Sequence, residues 1–438
     1  MITVSDASGF SVGSYIEIQQ ENDPVLMYTD PAWDEPWAAN SVGQLFMVIG
    51  KNGNQVQLDR PIFYGFNPAM NPEARPIGLI NDVGIENLYV ERLDASDGPT
   101  IKIKNAAGCW VRNVESNMTY RAHIDFSRAM DCEIRDSYFH HSHDYGGGGH
   151  GYGIDLGYHS TSVLVENNIF QYLRHAMLIQ LGATGNVFGY NYSTEPYWTN
   201  SQTNIPPDIS MHGHFPTMNL FEGNIVQEAT YSDYWGPVGP GNTMFRNRVE
   251  TSNISVADHS HHQNVIANEL TGGTTIVEVE SSVQNTWSHS NNENGIIDPT
   301  TTASLPASLY YGASPDFLQG YPFPILGPDM VLGANTIPAK DRFDNNEPML
   351  ACYCDPADTC FEVCPANLTD TNLGGGNPNN ISAGIYGASN SIISTGLVAP
   401  GTTVIFDAGM IIQLDNGFSV DAAADFSATI GGCSGQGN

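Results

Sequence analysis

The chain has 438 residues, 41% of them hydrophobic, with 15 basic side chains against 47 acidic ones and a net charge of −32. Such a surface repels nucleic acid and anionic membranes, so neither is expected as a partner. No apolar run reaches the roughly 18 residues that a membrane-spanning helix needs, and the carboxylates suit either solubility in salty water or Ca²⁺, a cation that takes oxygen ligands.

Residues 1–80 read as strands and loops leading into a solenoid, with a Trp- and Pro-rich stretch at Pro31–Trp37. Met1 is followed at once by Ile-Thr-Val-Ser-Asp-Ala-Ser-Gly-Phe, which reads like the interior of a mature β protein. An export signal is therefore expected outside this chain. Residues 81–290 repeat. An apolar residue is followed two or three positions later by Asn or Asp, at Ile85 and Asn87, Val111 and Asn113, Ile134 and Asp136, Val165 and Asn167, Phe188 and Asn191, Phe221 and Asn224, Phe245 and Asn247, and Ile266 and Asn268. Successive starts lie 26, 23, 31, 23, 33, 24 and 21 residues apart. A period in this range marks a solenoid or a propeller. Short alternating runs such as Thr100–Lys104 and Cys132–Tyr138 are strands, not helices. Most intervals are too short for a four-stranded propeller blade. The fold class is therefore all-β, a parallel β-helix, and its repeated Asn residues serve tight turns or bond to the Asn of the next coil.

Residues 291–350 lose the repeat and become Pro-rich, as in Tyr321–Asp329. They are expected to pack along or cap the solenoid, whose end coils would otherwise offer open edges. Residues 351–380 include Leu373-Gly-Gly-Gly-Asn-Pro-Asn-Asn380 and read as a linker. Residues 381–438 form a separate small β module. Cys109 and Cys132 each precede a repeat start by two residues and are expected to stack as small buried side chains. Cys352, Cys354, Cys360, Cys364 and Cys433 allow a Cys₄ zinc site but lack two clean CxxC pairs, so disulfides are the leading expectation in a chain that reads as exported, with one of the five left over.

The phrases Val83-Gly-Ile-Glu-Asn-Leu and Cys109-Trp-Val-Arg-Asn-Val-Glu-Ser116 resemble coils of the right-handed parallel β-helix proteins of the pectate-lyase-like superfamily, over roughly residues 80–290. That resemblance implies a right-handed helix and a place among polysaccharide lyases, glycoside hydrolases, esterases, phage tailspikes and adhesins. It does not single out a reaction. The Asp-His and Arg-x-Pro-x-x-Arg signatures of pectate lyases and the Gly-His-Gly of polygalacturonases are absent, and His212-Gly-His214 only reverses the last. Residues 381–433 resemble a short β-stack repeat found near the C-termini of secreted proteins of Bacteroidetes-type bacteria.

In a β-helix, equal positions in successive coils lie about 4.8 Å apart. Counting back from each repeat start predicts a row of Lys102, Asp125, Asp155, Gln180, His212, Trp235 and Asp258. The row must face outward, because a core cannot hold so many charges. Asp125 and Asp155 form the candidate catalytic pair. Carboxylates about 5 Å apart suit acid, base or nucleophilic work on a glycosidic bond, and their repulsion raises one pKa. A solvated Asp ladder or a Ca²⁺ site is the plainer alternative. Lys102 reads as a lyase base or as the ion-pair partner of Asp125.

The two long intervals hold insertions at Phe139–Gly153 and Thr194–Asp208, expected as two walls of a groove floored by Asp125, Asp155, Arg174, His175, Gln180 and His212. His175 and His212 are candidates for proton transfer, Arg174 and Gln180 for substrate contact. Tyr197, Trp198 and Trp235 are candidates for stacking on sugar rings. His140, His141, His143, Asp144 and His150 supply a possible transition-metal ligand set or line the groove. The reading is a secreted polysaccharide hydrolase or lyase. Its alternative is a non-catalytic glycan-binding, adhesive or assembly-forming solenoid that self-associates through its ends.

Overall fold

The computed structural model describes residues 1–201, 204–297, 304–350, 367–369, 380–381, 384–388, 391–408, 411–414, 418–421 and 424–430. The chain divides into two compact units, Met1–Met349 and Leu350–Asn438. Among the described residues no helix is long and apolar enough to cross a membrane.

Inward-facing residues build the larger unit. Val111, Ile134, Val165, Phe188, Phe221, Met244 and Val265 pair in parallel register, coil upon coil, and all are fully buried. The Phe188 and Phe221 rings lie 4.7 Å apart and 6° from parallel. Stacking at strand spacing removes each side chain from water, worth about 1.5–3 kcal/mol apiece. The result is a parallel β-helix. One face is a nine-stranded sheet running from Ile80–Asn81 through Ile101–Ala107, Ala122–Met130, Tyr152–Gly157, His175–Ile179, Ile209–Met211, Ala229–Tyr231 and Ile254–Val256 to Val277–Val279. Shorter strands, including those of the repeat, wrap the other faces.

The repeated Asn resolves into two neighbouring positions. Asn87, Asn113, Asp136 and Asn167 take left-handed backbone, with φ of 55°, 48°, 57° and 53°, which their short polar side chains tolerate. The following position carries the ladder. Asn168, Asn191, Asn224, Asn247, Asn268 and Asn291 stack, each Nδ2 donating to the next Oδ1 at 2.9–3.0 Å. Each such Oδ1 also accepts the backbone N–H of the preceding Asn. The repeat start itself slips by one residue late in the series, because Phe221 pairs with Met244 and Met244 with Val265. Phe245 and Ile266 sit one place further on. Met244-Phe245 and Val265-Ile266 are both apolar pairs, so hydrophobicity alone does not choose between their members. Cys109 and Cys132 are buried, free thiols just before the paired residues Trp110 and Glu133.

The segment after the coils runs along the side of the solenoid. Leu318, Ile325, Leu326, Ile337 and Ala339 pack on Tyr138, Ile169, Tyr190, Tyr192 and Ile225 from successive coils. Arg246 grips Asp329 through two bonds of 3.0 Å, and the Gly327 N–H donates to Glu269 at 2.9 Å. Trp287 and Ile296 at the last coil stay exposed.

The N-terminal segment is a five-stranded antiparallel sheet with Tyr15–Gln20 between Val42–Asn52 and Glu73–Ile77. Its fully buried Glu17 fastens it to the helix. The carboxylate meets Arg75 at 2.6 Å, Arg128 at 2.9 Å and His159 at 2.6 Å. Burial alone would raise its pKa, but the His159 hydrogen bond and the charges of His159 and Arg128, with Arg75, outweigh burial and hold it at about 2.

The smaller unit is a solenoid in its own right. Three sheets of three parallel strands, such as Gly384–Ala388, Thr403–Ala408 and Asp425–Ile430, enclose Leu368, Ile381, Ile392, Val398, Val404 and Phe406. Asn367–Thr369 and Asn380–Ile381 form strands of it, so part of the expected linker belongs to the module. Cys352, Cys354, Cys360, Cys364 and Cys433, and the disulfides expected of them, lie outside the described residues.

These contacts have two measurable effects on stability. Asn224→Ala leaves buried partners in two neighbouring coils unsatisfied and is expected to cost about 1–3 kcal/mol, read from the urea midpoint. Glu17 has a depressed pKa, so its contribution is present above the ordinary carboxylate value of 4.5 and is lost as pH falls towards about 2. It amounts to roughly 3 kcal/mol. Glu17→Gln should flatten the acid limb of a melting-temperature profile over that window.

Candidate functional site

Parallel register sets Lys102 beside Asp125 and Asp125 beside Asp155 on three consecutive strands. Their neighbours Ile101, Ile124, Phe126, Ile154 and Leu156 belong to the core, so strand alternation turns the charged trio outward. Lys102 Nζ lies 3.1 Å from Asp125 Oδ2, both side chains partly exposed. Asp155 is only 7% exposed, and Gln180 Nε2 donates to both of its oxygens at 3.0 Å. The row therefore runs cation, carboxylate, carboxyl and amide, with Lys102 bonded to Asp125, Asp125 beside Asp155 in register, and Gln180 bonded to Asp155. Burial first, and then the Asp125 charge, raise the Asp155 pKa to about 7, against the pull of Gln180, Arg121 and Lys102.

Beyond Asp155 the register departs from the expected row. The residue beside Asp155 is Leu178, followed by Ser210, Thr230 and Ser255. Gln180 and His212 lie two places further along, each one residue past the end of its strand at Ile179 and Met211, and Gln180 reaches back to Asp155. Trp235 and Asp258 lie past the ends of their strands at Tyr231 and Val256. Counting by polarity favours Gln180 over Leu178, while the turns between the floor strand and the repeat differ in length from coil to coil.

The two insertions form one wall, not two. Tyr197 stacks on Tyr172 at 4.8 Å and 12° and meets Tyr145 edge-on at 5.0 Å. Arg174, from the coil between the insertions, donates to the Gly146 carbonyl at 2.7 Å and lies over the Tyr152 and Trp198 rings, 5.7 Å from each. A gap one coil wide is filled by those side chains, so Arg174, expected on the groove floor, knits the wall together with Tyr197 and Trp198, the rings expected to stack on sugar. The opposite side is bounded by the N-terminal segment. Trp37 packs on His214 at 4.6 Å and on Trp235 at 5.5 Å, and its carbonyl accepts from Tyr158 at 3.1 Å. Trp37 and Tyr234 stay exposed by 42% and 69%. Nothing near Pro31–Trp37 in the sequence signals this placement. Arg121, Tyr152 and Asp233 also escape the sequence pattern, since no repeat offset marks them.

His175 and His212 are buried. His175 Nδ1 faces the Pro207 carbonyl at 2.7 Å, so that nitrogen carries the proton. Burial, then the Arg174 charge, lower its pKa well below the usual value. His212 Nε2 lies 3.1 Å from Asp233, and burial lowers its pKa against the pull of Asp233. Both rings pack with Tyr152, at centroid distances of 5.2 and 6.3 Å, in a closed cluster beside the floor. The His-rich loop disperses. His140 pairs with Glu115 at 3.1 Å and with His141 at 3.0 Å, His143 bonds the Arg92 carbonyl at 2.8 Å, and His150 pairs with Asp144 at 2.9 Å. Each finds a local partner, and among the described residues no three His, Cys, Asp or Glu side chains converge as metal ligands would.

No protein-family model matches the chain, and neither does any curated protein. Among solved structures, the chain is similar to the Gp54 tailspike of Acinetobacter baumannii bacteriophage AP22, in complex with A. baumannii capsular saccharide. The identity is 9% and the TM-score 0.38, over 98% of this chain and 53% of that one. It is also similar to the tailspike protein gp49 from Pseudomonas phage LKA1, at 10% identity and a TM-score of 0.27, over 67% of this chain and 63% of the other. The chain thus spans a little over half the length of these proteins. Likeness at that level decides nothing about chemistry, which has to be read from side chains.

The raised Asp155 pKa has a stability consequence. The folded protein holds that proton more tightly than the unfolded chain, so this group's contribution falls as pH rises from 3.8 towards about 7. Asp155→Asn removes the dependence. Its melting temperature should exceed that of the wild type above pH 7, with the gap closing as pH falls to about 4.

Proposed function

We propose that this is an extracellular carbohydrate-active protein that hydrolyses a polysaccharide laid across the nine-stranded sheet. The observation that carries the reading is the Asp125–Asp155 pair, adjacent in register yet different in setting. Asp155, buried and protonated up to about pH 7, acts as the general acid and protonates the leaving glycosidic oxygen. Asp125, beside the Lys102 ammonium, supplies the carboxylate that attacks the sugar or activates water. Hydrolysis is favoured over elimination because Lys102, the available lyase base, is engaged by Asp125. Trp37, Tyr234 and Trp235 offer ring faces on which sugars stack. A tailspike neighbour seen with a capsular saccharide makes bacterial capsular polysaccharides a natural first panel, though the reading rests on the carboxyl pair.

The test is release of reducing ends from capsular and plant polysaccharides by the full chain. Asp125→Asn and Asp155→Asn should each lower turnover by about 10²–10⁴-fold. Wild-type activity should fall as pH rises through about 7, where Asp155 loses its proton. An ultraviolet-absorbing unsaturated product would assign the pair to elimination. Binding without cleavage across the panel would leave a glycan-binding solenoid in place of an enzyme.

A further inference from the structure

We infer that Gln180 is a positioning residue for the acid: its amide grips both oxygens of Asp155, holds the carboxyl in one orientation, and biases it towards release of its proton. This rests on the hydrolytic reading of the Asp125–Asp155 pair.

The geometry is symmetric. One nitrogen, Nε2, lies 3.0 Å from Oδ1 and 3.0 Å from Oδ2. An amide N–H bonds an ionised carboxylate more strongly than the neutral acid, because the charged oxygens are the better acceptors. The grip therefore favours the state that burial and Asp125 disfavour. No other hydrogen bond reaches the Asp155 carboxyl among the described residues. The other charges facing it are Asp125 and Lys102 on the two preceding strands and Arg121 before the Asp125 strand. Tyr152 is the titratable group on its own strand.

The amide is also presented from a fixed point. Gln180 donates its backbone N–H to the Leu156 carbonyl at 2.9 Å, and its own carbonyl accepts from Ala183 at 3.0 Å. Because the register places Leu178 beside Asp155, the side chain at 180 must lean back by two residues. That needs the full length of Gln, and Asn is one methylene short. A residue that merely filled space here would not need two matched bonds to one carboxyl group.

The test is a ¹³C-carboxyl NMR titration of the full chain labelled at Asp, with the Asp155 signal assigned by its loss in Asp155→Asn. Gln180→Leu should move the Asp155 midpoint up by about one pH unit. Gln180→Lys should move it down, because an ammonium favours the carboxylate. The alkaline limb of the activity profile should shift with the midpoint in each variant. Gln180→Asn serves if the Leu variant does not fold, with the same rise expected. Midpoints unchanged in the folded variants would overturn the inference. Midpoints that move in a protein that cleaves no polysaccharide would uphold the grip of Gln180 on Asp155 and overturn the hydrolytic reading instead.

Discussion

The structure depends on one constraint, that each coil must answer the polar groups of the coil before it. The buried ladder from Asn168 to Asn291 meets part of it with one residue per coil, and Asn186, Asn219 and Asn242 form a second ladder of the same kind. The side-chain oxygen of each interior Asn accepts two hydrogen bonds from the previous coil, and its amide donates one to the next. The same amide also donates to a backbone carbonyl of the previous coil, as Asn191 does to Val165. Such a ladder has one register, because a slip would strand several buried donors together. The Phe188–Phe221 stack lies within the same register, and at its start Asn168 accepts the Ser137 N–H, which ties in the coil that carries Asp125. Insertions are tolerated because the next Asn restores the register after each of them.

A second consequence is electrostatic. Glu17 and Asp155 are both almost wholly removed from water, yet they behave in opposite ways. Glu17 is met by two guanidinium groups and an imidazole and is held at about 2. Asp155 is met by a neutral amide and faces another carboxylate, and it rises to about 7. Burial sets the cost of a charge, and the partners decide whether that cost is offset. The two carboxyls share a scaffold. Arg128, a partner of Glu17, lies on the strand that carries Asp125, so the contact that seats the N-terminal sheet also steadies the floor.

The acidic composition takes on a local meaning in this light. With so few cations in the chain, several hold specific positions. Lys102 faces Asp125, Arg174 stitches the insertions, and Arg246 and Arg342 fasten the segment that runs along the side. Arg174, Arg246 and Arg342 act as internal fasteners in a molecule whose charge is dominated by carboxylates.

The sequence by itself determined the class of fold and the sharpest part of the site. Spacing of apolar and Asn residues was enough for a parallel β-helix, since a repeated pattern has to mean a repeated structure. It also placed Lys102, Asp125 and Asp155 side by side, because the distance from floor strand to repeat start hardly changes across those three coils. It named Gln180 as the next member for a reason that fails in register and holds in contact, as the long side chain makes up two residues of offset. Tertiary structure alone decided the rest. The two insertions became one wall because Arg174 and three tyrosines fill the single coil between them. The imidazoles of the His-rich loop found separate partners in Glu115, the Arg92 carbonyl and Asp144. The other boundary of the floor came from Trp37, far away along the chain. Periodicity reports which residues are stacked, but not how far side chains reach or what a non-repeating segment folds against.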